Sequence, residues 1–183
     1  MFCPACGARR LTRFANNRPL AELMGYDLAR FAVTDLFFVP KQFFTPAIIE
    51  ERPPLAPTAR RAGWIGSNIL LREVPESGKV WFVRGGEALG RADVLEQWRS
   101  TLFLREAKAA ARGWLIEVMK CAEALGRESF TLADIYGFED RLSAIYPGNR
   151  HVRPKIRQQL QVLRDRGWLE FLGRGRYRVR AGG

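Results

Sequence analysis

The chain has 183 residues, of which 30 are basic and 19 acidic, so its formal net charge is +11 and its isoelectric point lies near 10.4. No apolar run approaches the roughly 20 residues that span a bilayer, and the first residues lack the pattern of a signal peptide. Three cysteines are too few for a disulfide framework. We therefore expect a soluble, cytoplasmic protein of one domain or two small ones, with no membrane partner.

The first residues contain half of a zinc-binding motif. Cys3 and Cys6 in the segment CPACG form a Cys-x-x-Cys turn that can direct two thiolates at one ion. A structural zinc site needs four ligands, and the only other soft ligands, Cys121 and His151, are more than a hundred residues away. Cys121 lies in a helical pattern, where a buried free thiol is expected. The sequence thus predicts an incomplete site, which binds zinc only if another chain completes it.

The middle of the chain alternates strand patterns with turns. Three prolines between Arg52 and Pro57 indicate an extended connector. The segment Lys41–Glu51 is compatible with a loop and a short helical turn. Predicted strands cover Thr34–Val39, Asn68–Glu73 and Val80–Arg84, and a predicted helix covers Arg91–Arg99.

A glycine-rich loop carries a tryptophan beside two arginines. In Thr58–Ser67, Arg60 and Arg61 precede Trp64 and Ile65. An aromatic ring next to arginines can meet nucleic acid by stacking and by phosphate contact. Alternatively, Trp64 and Ile65 pin the loop to the protein core. The sequence leaves both interpretations open.

The last third of the chain has the pattern of a winged helix. Leu115–Leu125 forms an amphipathic helix ended by Gly126, and Thr131 with Asp134 predicts a capping box at the start of a second helix that runs to about Ile145. A third helix follows from His151, with Pro154 in its first turn and Gly167 as its stop residue. Two β-prone runs, Trp168–Leu172 and Arg176–Arg180, flank a glycine-containing turn and predict a hairpin, or wing.

The third helix and the wing are strongly basic. Residues 150–180 contain ten basic side chains against two acidic ones, a net charge of +8. Ile156, Leu160 and Leu163 form one apolar stripe of the helix. The opposite face carries Arg and Gln, which pair with guanine and adenine edges in the major groove. The alternative is a solvated basic helix, and a membrane surface is disfavoured because no long helix has a strongly apolar face opposite its arginines.

The sequence also resembles the Dam-replacing restriction endonucleases of the DpnI type, over nearly its whole length. The matching segments are CPACG, FANNRPLAE, FFVPKQFFTP, PLAPTARRAGWIGSN, LFLREAKAAARGW and IRQQLQVLRDRGWLEFLGRGRYR. The resemblance implies a PD-(D/E)xK nuclease domain with a four-cysteine zinc site, followed by a winged helix, both contacting GATC sites with methylated adenine. It also implies that the Trp64 loop contributes to methyl recognition.

The chain departs from this family at the nuclease motif. Glu22 stands where the family has an aspartate after NNRP, and neither Glu-x-Lys nor a second Cys-x-x-Cys follows before the next matching segment. The only Glu-x-Lys, Glu106–Lys108, lies at the start of the predicted winged helix. Such nucleases use acidic side chains to hold Mg²⁺ and a lysine to stabilise the transition state. Glu22 is therefore a vestigial catalytic candidate, and Mg²⁺ is expected only if nuclease activity survives.

The predicted fold is α+β, with a shortened PD-(D/E)xK-like α/β region in residues 1–102 and a winged helix in residues 103–183. The predicted function is binding of double-stranded DNA with preference for adenine-methylated GATC, without cleavage. The alternatives are an active methyl-directed endonuclease and a decayed fragment that retains only non-specific DNA binding. The predicted DNA-binding residues are Arg60, Arg61, Trp64, His151, Lys155, Arg157, Gln158, Gln161, Arg164, Arg174 and Arg176.

Overall fold

The structure is a computed structural model that describes residues 11–14 and 20–180, with side chains from residue 24 onward. Cys3, Cys6 and the predicted turn before Leu20 lie outside the described residues. The first half of the chain forms a sheet region followed by one helix. Its elements are β1 (Leu11–Phe14), β2 (Leu20–Asp27), β3 (Ala32–Pro40), β4 (Ile49–Glu51), β5 (Ser67–Ile69), β6 (Val80–Arg84), β7 (Glu87–Ala88) and α1 (Arg91–Ser100).

Five of these strands form one antiparallel sheet in the order β1-β2-β3-β6-β7. The predicted strands at Thr34–Val39 and Val80–Arg84 are confirmed as β3 and β6. Aromatic side chains hold the sheet together on both faces: Phe37 contacts Trp81 with ring centroids 4.5 Å apart, and Phe38 contacts Trp98 of α1 at 5.4 Å. The helix predicted at Arg91–Arg99 is thus confirmed, and it covers one face of the sheet.

The prediction of one strand over Asn68–Glu73 is wrong beyond Ile69. Only β5 is extended, and it pairs with β4 in a separate two-stranded ribbon. Leu71–Glu73 instead forms a 3-10 turn, which follows a hydrogen bond from the Leu70 amide to the Ile48 carbonyl at 2.8 Å. The turn is favoured because it brings the Glu73 carboxylate to Lys120, a partner distant in sequence. The preceding segment contains two further 3-10 turns, Lys41–Phe43 and Pro46–Ile48.

The second half of the chain is a winged helix. Its three-stranded antiparallel sheet has the order β8-β10-β9. Its elements are α2 (Ala109–Ala124), β8 (Ser129–Thr131), α3 (Leu132–Tyr136), α4 (Glu139–Ile145), α5 (Val152–Asp165), β9 (Leu169–Gly173) and β10 (Arg176–Val179).

Local signals in the sequence account for most of these boundaries. Gly126 and Gly167 end their helices with φ of 61° and 78°, the left-handed region that glycine enters without a steric cost. Thr131 accepts a hydrogen bond from the Asp134 amide at 3.2 Å, and Asp134 accepts one from the Thr131 amide at 2.7 Å. The predicted capping box is therefore confirmed, and Phe130 and Ile135 on either side of it are both buried.

The prediction of one continuous second helix to about Ile145 is wrong. The segment forms two helices, α3 and α4, with a break between them. The Phe138 amide bonds to the Ile135 carbonyl at 3.0 Å, a tightened turn that interrupts the α-helical pattern. Gly137, with its low helix propensity, lies at the break. The interruption is favoured because it lets Phe138 pack against the hydrophobic core.

The two regions share one hydrophobic core. Val39 near the end of β3 and Phe43 in the 3-10 turn after it belong to the same buried cluster as Leu104 and the buried face of α2. The cluster extends from there to α5 and β9, where Trp168 is only 1% exposed. Among the described residues, no helix is both long and apolar enough to cross a membrane.

Candidate nucleic-acid interface

Helix α5 has one face buried in the winged helix and one face in solvent. Ile156, Leu160 and Leu163 are fully buried, as their spacing predicts. Arg157 and Gln161 are exposed, one helical turn apart on the outer face. Because burial of the apolar stripe fixes the rotation of the helix about its axis, these polar side chains are held toward solvent, where a DNA groove can reach them.

Some polar side chains of α5 bind one another. The Lys155 ammonium donates a hydrogen bond to Gln158 Oε1 at 2.8 Å, and Arg164 pairs with Asp165 at 2.8 Å. Within the described part of the chain, the side chains of Arg157 and Gln161 form no hydrogen bond or ion pair. The predicted contacts thus comprise two groups: side chains free to meet a ligand, and side chains already held by a neighbour.

The wing presents a strained arginine at its tip. Gly173, Arg174 and Gly175 all have positive φ, of 91°, 49° and 71°. Glycine enters this region readily, but for arginine the left-handed conformation is unfavourable. The hairpin therefore directs the exposed Arg174 side chain outward at a conformational cost, with the exposed Arg176 beside it at the start of β10.

Two other arginines of this half have structural partners. Arg153 Nε donates to Glu139 at 2.7 Å, and its guanidinium lies 5.2 Å from the centre of the Tyr136 ring. Arg178 pairs with Glu128 at 3.2 Å. These contacts join α5 to α3 and α4, and the wing to the segment before β8.

His151, predicted to bind DNA, is exposed at the amino-terminal end of α5, where its amide donates to Asn149 Oδ1 at 2.8 Å.

The Trp64 loop projects as a ribbon from β4 and β5. Backbone hydrogen bonds continue the pairing into the loop, from the Arg52 amide to the Gly66 carbonyl at 2.9 Å and from the Leu55 amide to the Trp64 carbonyl at 3.0 Å. We call residues 52–66 the arm. The Trp64 ring lies over Gly66, where a Cβ atom would approach the ring to 2.8 Å.

The arm is not pinned to the core by its large apolar side chains. Trp64 is 52% exposed and Ile65 49% exposed, which contradicts the core-pinned alternative. Arg60 and Arg61 are exposed on the same arm. The arm therefore presents an aromatic surface and two cations to solvent, the combination that stacking and phosphate contact require.

Charged side chains of α2 join the sheet region to the winged helix. Lys120 donates to Glu73 at 2.9 Å and to the buried Glu117 at 3.1 Å. The Glu123 carboxylate accepts from the amides of Glu76 and Ser77 at 2.6 and 3.0 Å. The hydrogen bond from Lys120 holds the pKa of Glu73 below its ordinary value of 4.5. We call these contacts the junction; they hold the arm-bearing region against the helix that supports α5.

The segment that should carry the nuclease motif is a short hairpin. Glu22 lies in β2 opposite Phe38 of β3, and its side chain is outside the described part. The turn Leu28–Phe31 joins β2 directly to β3, and the Asp27 carboxylate fixes it by accepting from the Ala29 amide at 2.8 Å. The chain between Glu22 and Phe38 is thus fully used in two paired strands and their turn, which leaves no segment for a further strand with Glu-x-Lys.

The described residues also contain no group that fits a metal ion. No cluster of three or more His, Cys, Asp or Glu side chains is found among them. Glu106 of the only Glu-x-Lys pairs with Arg166 at 3.1 Å, in the winged-helix half. Cys121 is completely buried, as predicted, and burial raises the pKa of its thiol to about 11. A thiol in this state is a poor metal ligand, because zinc binds the thiolate.

Two sets of residues were missed by reasoning from the sequence. The junction residues Glu73, Lys120 and Glu123 give no local signal, because their partners lie 46 or 47 positions away. Gln159 is only 3% exposed although it adjoins the exposed Gln158, to which it donates a hydrogen bond at 3.3 Å. Its position beside Val152, Ile156 and Leu163 on the helical wheel is the signal that could have identified it as buried.

Both regions of the chain match models of known protein families. Residues 22–107 match the model of the Dam-replacing family, and residues 110–179 match the model of the Dam-replacing helix-turn-helix domain. The matches together cover most of the chain and confirm both the resemblance and the α+β fold, a shortened nuclease-like region plus a winged helix. A helix-turn-helix domain is a DNA-binding domain, and the family relates the chain to restriction enzymes. The division at residues 102 and 103 stays a prediction.

Proposed function

The chain belongs to the Dam-replacing family, and from this premise we propose that it binds double-stranded DNA with preference for adenine-methylated GATC and does not cleave it. The observation that carries the proposal is the arrangement of α5 and the wing. The apolar face of α5 is buried, its Arg- and Gln-bearing face is exposed, and the wing directs Arg174 outward. This is the geometry in which a helix enters the major groove while a wing follows the backbone.

We assign base contacts to the exposed outer face of α5. Arg157 has the donors for the O6 and N7 atoms of guanine, and Gln158 and Gln161 have the polar atoms for base edges. Phosphate contacts are assigned to the basic side chains that flank this face and the wing. These are Lys155, Arg164, Arg174 and Arg176, with His151 at the start of the helix.

The arm supplies the second contact with DNA. Trp64 offers an exposed ring that can pack against a base or a methyl group, and Arg60 and Arg61 offer phosphate partners. The junction supports this assignment because it fixes the sheet region against α2. Because the sheet region is already fixed against α2, binding through both the arm and α5 would not require the two regions to be ordered against each other first.

The absence of cleavage follows from the chemistry that phosphodiester hydrolysis requires. Acidic ligands must hold Mg²⁺ near the phosphate, and a cation must stabilise the developing charge. The hairpin between Glu22 and Phe38 replaces the segment in which the family carries these groups. The described residues do not fit Mg²⁺, and we derive no catalytic step through it. For zinc, we propose that Cys3 and Cys6 bind only when another chain supplies the remaining ligands.

Fluorescence anisotropy at one stated salt concentration tests the binding proposal. The two duplexes differ only in the adenine methyl groups of GATC, and Mg²⁺ is omitted. We expect at least tenfold tighter binding to the methylated duplex, which is about 1.4 kcal/mol. Equal affinities would leave only non-specific binding, the outcome expected of a decayed fragment. A Gln161→Ala variant that keeps full methyl discrimination would remove Gln161 from the assignment.

A plasmid assay tests the alternative of an active endonuclease. Methylated plasmid is incubated with the protein and Mg²⁺, and we expect no nicked or linear product above the rate seen with metal chelator. Metal-dependent nicking that disappears in Glu22→Gln would establish an active site completed by residues outside the described part or by a second chain. Binding and cleavage are measured on the same preparation, so each proposal can fail separately.

A further inference from the structure

Two hydrogen bonds hold the carbonyl oxygen of Gln158. Lys155 Nζ donates to Gln158 Oε1 at 2.8 Å, and Gln159 Nε2 donates to the same oxygen at 3.3 Å. An ammonium group can only donate, so the Gln158 atom that faces Lys155 must be the oxygen and not the nitrogen. The contact with Lys155 therefore determines the orientation of the Gln158 amide.

The two donors are themselves restrained. Gln159 is 3% exposed, so it is held by the packing of α5, and Lys155 is partly buried one turn before Gln158. Gln158 itself is exposed. With its oxygen engaged by two donors, Gln158 presents its NH₂ group to the solvent side of the helix. It acts there as a donor and not as an acceptor.

This orientation matters because adenine and N6-methyladenine differ in one donor. A freely rotating glutamine pairs with adenine by donating to N7 and accepting from the N6 amine. In paired N6-methyladenine, the remaining N6 hydrogen bonds to thymine and the methyl group faces the major groove in place of the second hydrogen. A glutamine oxygen would then meet a methyl group, so a free glutamine favours the unmethylated base.

We propose that Lys155 and Gln159 are positioning residues that hold Gln158 as a donor-only contact, which removes the advantage of unmethylated adenine. The inference rests on the proposed function, in which α5 enters the major groove. The matching atoms in GATC are acceptors: N7 and O6 of guanine, O4 of thymine and N7 of adenine. Positive preference for the methyl group then comes from apolar contact elsewhere.

The test compares affinities of full-length variants for the methylated and unmethylated duplexes by anisotropy, at one salt concentration and without Mg²⁺. The double variant Lys155→Met/Gln159→Leu removes both donors to the Gln158 oxygen, and Lys155→Arg is the matched control because a guanidinium also only donates. In the double variant we expect the ratio of methylated to unmethylated affinity to fall about tenfold. Loss of a phosphate contact by Lys155 lowers both affinities alike and leaves the ratio unchanged.

The outcomes separate the two proposals. A wild-type preference for methylated DNA that persists unchanged in the double variant would overturn the donor-only assignment and leave the proposed function intact. Equal affinities of the wild type for the two duplexes would overturn the proposed methyl preference. If the ratio of methylated to unmethylated affinity nevertheless falls in the double variant, the assignment of Gln158 as a donor-only contact is supported. A fall in Lys155→Arg as large as in the double variant would also overturn it. Thermal unfolding of each variant checks that the fold is retained.

Discussion

In the winged helix, apolar side chains from α2, α5 and β9 meet in one core, and three of its described large apolar side chains are exposed: Ile145, Phe171 and Leu172. In the described part of the sheet region, seven large apolar side chains are exposed. Trp168 and Leu160 are almost completely buried, but Phe31 at the β2–β3 turn is 81% exposed and Leu28 is 53% exposed. Among the side chains that are described, the sheet region adds few to the shared core, and these lie at the carboxyl end of β3 and in the segments after it. The winged helix is therefore stabilised mainly by its own core, whereas the sheet region is held by its own aromatic pairs and by its contacts with α2.

We expect the greatest loss of stability at Lys120, at the centre of the junction. Lys120→Met removes a partner of Glu73 and one of the two partners of the buried Glu117, which also pairs with Arg141 at 3.5 Å. Breaking a buried ion pair from one side costs up to about 3–5 kcal/mol. Urea unfolding followed by tryptophan fluorescence measures this loss. Lys108→Met, at an exposed lysine just before α2, is the control and should change stability by less than about 0.5 kcal/mol. A loss below about 1 kcal/mol in Lys120→Met would show that the sheet region does not rely on this contact.

Glu123→Ala should loosen the sheet region while leaving the winged helix folded. The substitution leaves the amides of the exposed Glu76 and the buried Ser77 without their acceptor. An unsatisfied donor in a buried residue such as Ser77 costs about 1–3 kcal/mol. Amide hydrogen exchange should accelerate in residues 76–78 and change little in α5. Glu96→Ala, on the exposed side of α1, is the control. Equal acceleration in both regions would mean that they unfold only as one unit.

Thr131→Ala perturbs the winged helix instead, because the capping box lies within it, and tests whether the sheet region stays unaffected. Loss of an N-cap side chain costs about 1 kcal/mol, and we expect the effect to be confined to α3 and its neighbours. Hydrogen exchange again measures it, with Thr58→Ala in the exposed arm as the control. Exchange that accelerates in β2 and β3 as well would contradict an internally stabilised winged helix.

The wing tip should show stability and binding changing in opposite directions. Arg174→Gly relieves the left-handed arginine and should raise the free energy of unfolding by up to about 1 kcal/mol. The same variant should bind DNA more weakly and reduce the slope of log affinity against log salt by about 1. Arg174→Ala removes the charge but keeps the strain, so it should lose affinity without gaining stability. Unchanged affinity in both variants would remove Arg174 from the interface.

The smallest effect expected is a pH dependence at the junction. Because the folded protein lowers the pKa of Glu73, its carboxylate stabilises the fold above the unfolded value of about 4.5. That contribution is lost as the pH falls through the lower folded pKa. The difference in melting temperature between wild type and Glu73→Gln should therefore be present at pH 6 and shrink below pH 4.5. A difference that grows on acidification would contradict the assigned direction.

The winged helix could be predicted from the sequence, because the boundaries of its elements depend on neighbouring residues. The capping box at Thr131, the stop at Gly167 and the spacing of Ile156, Leu160 and Leu163 are all local, and each predicted the observed structure. The missing nuclease motif was equally visible, since the chain between Glu22 and Phe38 is too short to contain it. The resemblance to restriction enzymes came from sequence segments shared with that family, because hydrophobic periodicity predicts secondary structure and not family membership.

Features that depend on partners distant in sequence became visible only in the folded structure. Glu73 lies in a turn and not a strand because Lys120, from α2, reaches its carboxylate; the second helix breaks because Phe138 packs into the core. The exposure of Trp64 likewise follows from where β4 and β5 direct the arm. On α5, periodicity gave the exposed face, but only the folded helix shows that Gln159 is buried and bonded to Gln158. Local signals act through adjacent backbone dihedrals, whereas burial and hydrogen bonding of a side chain depend on what the rest of the chain brings against it.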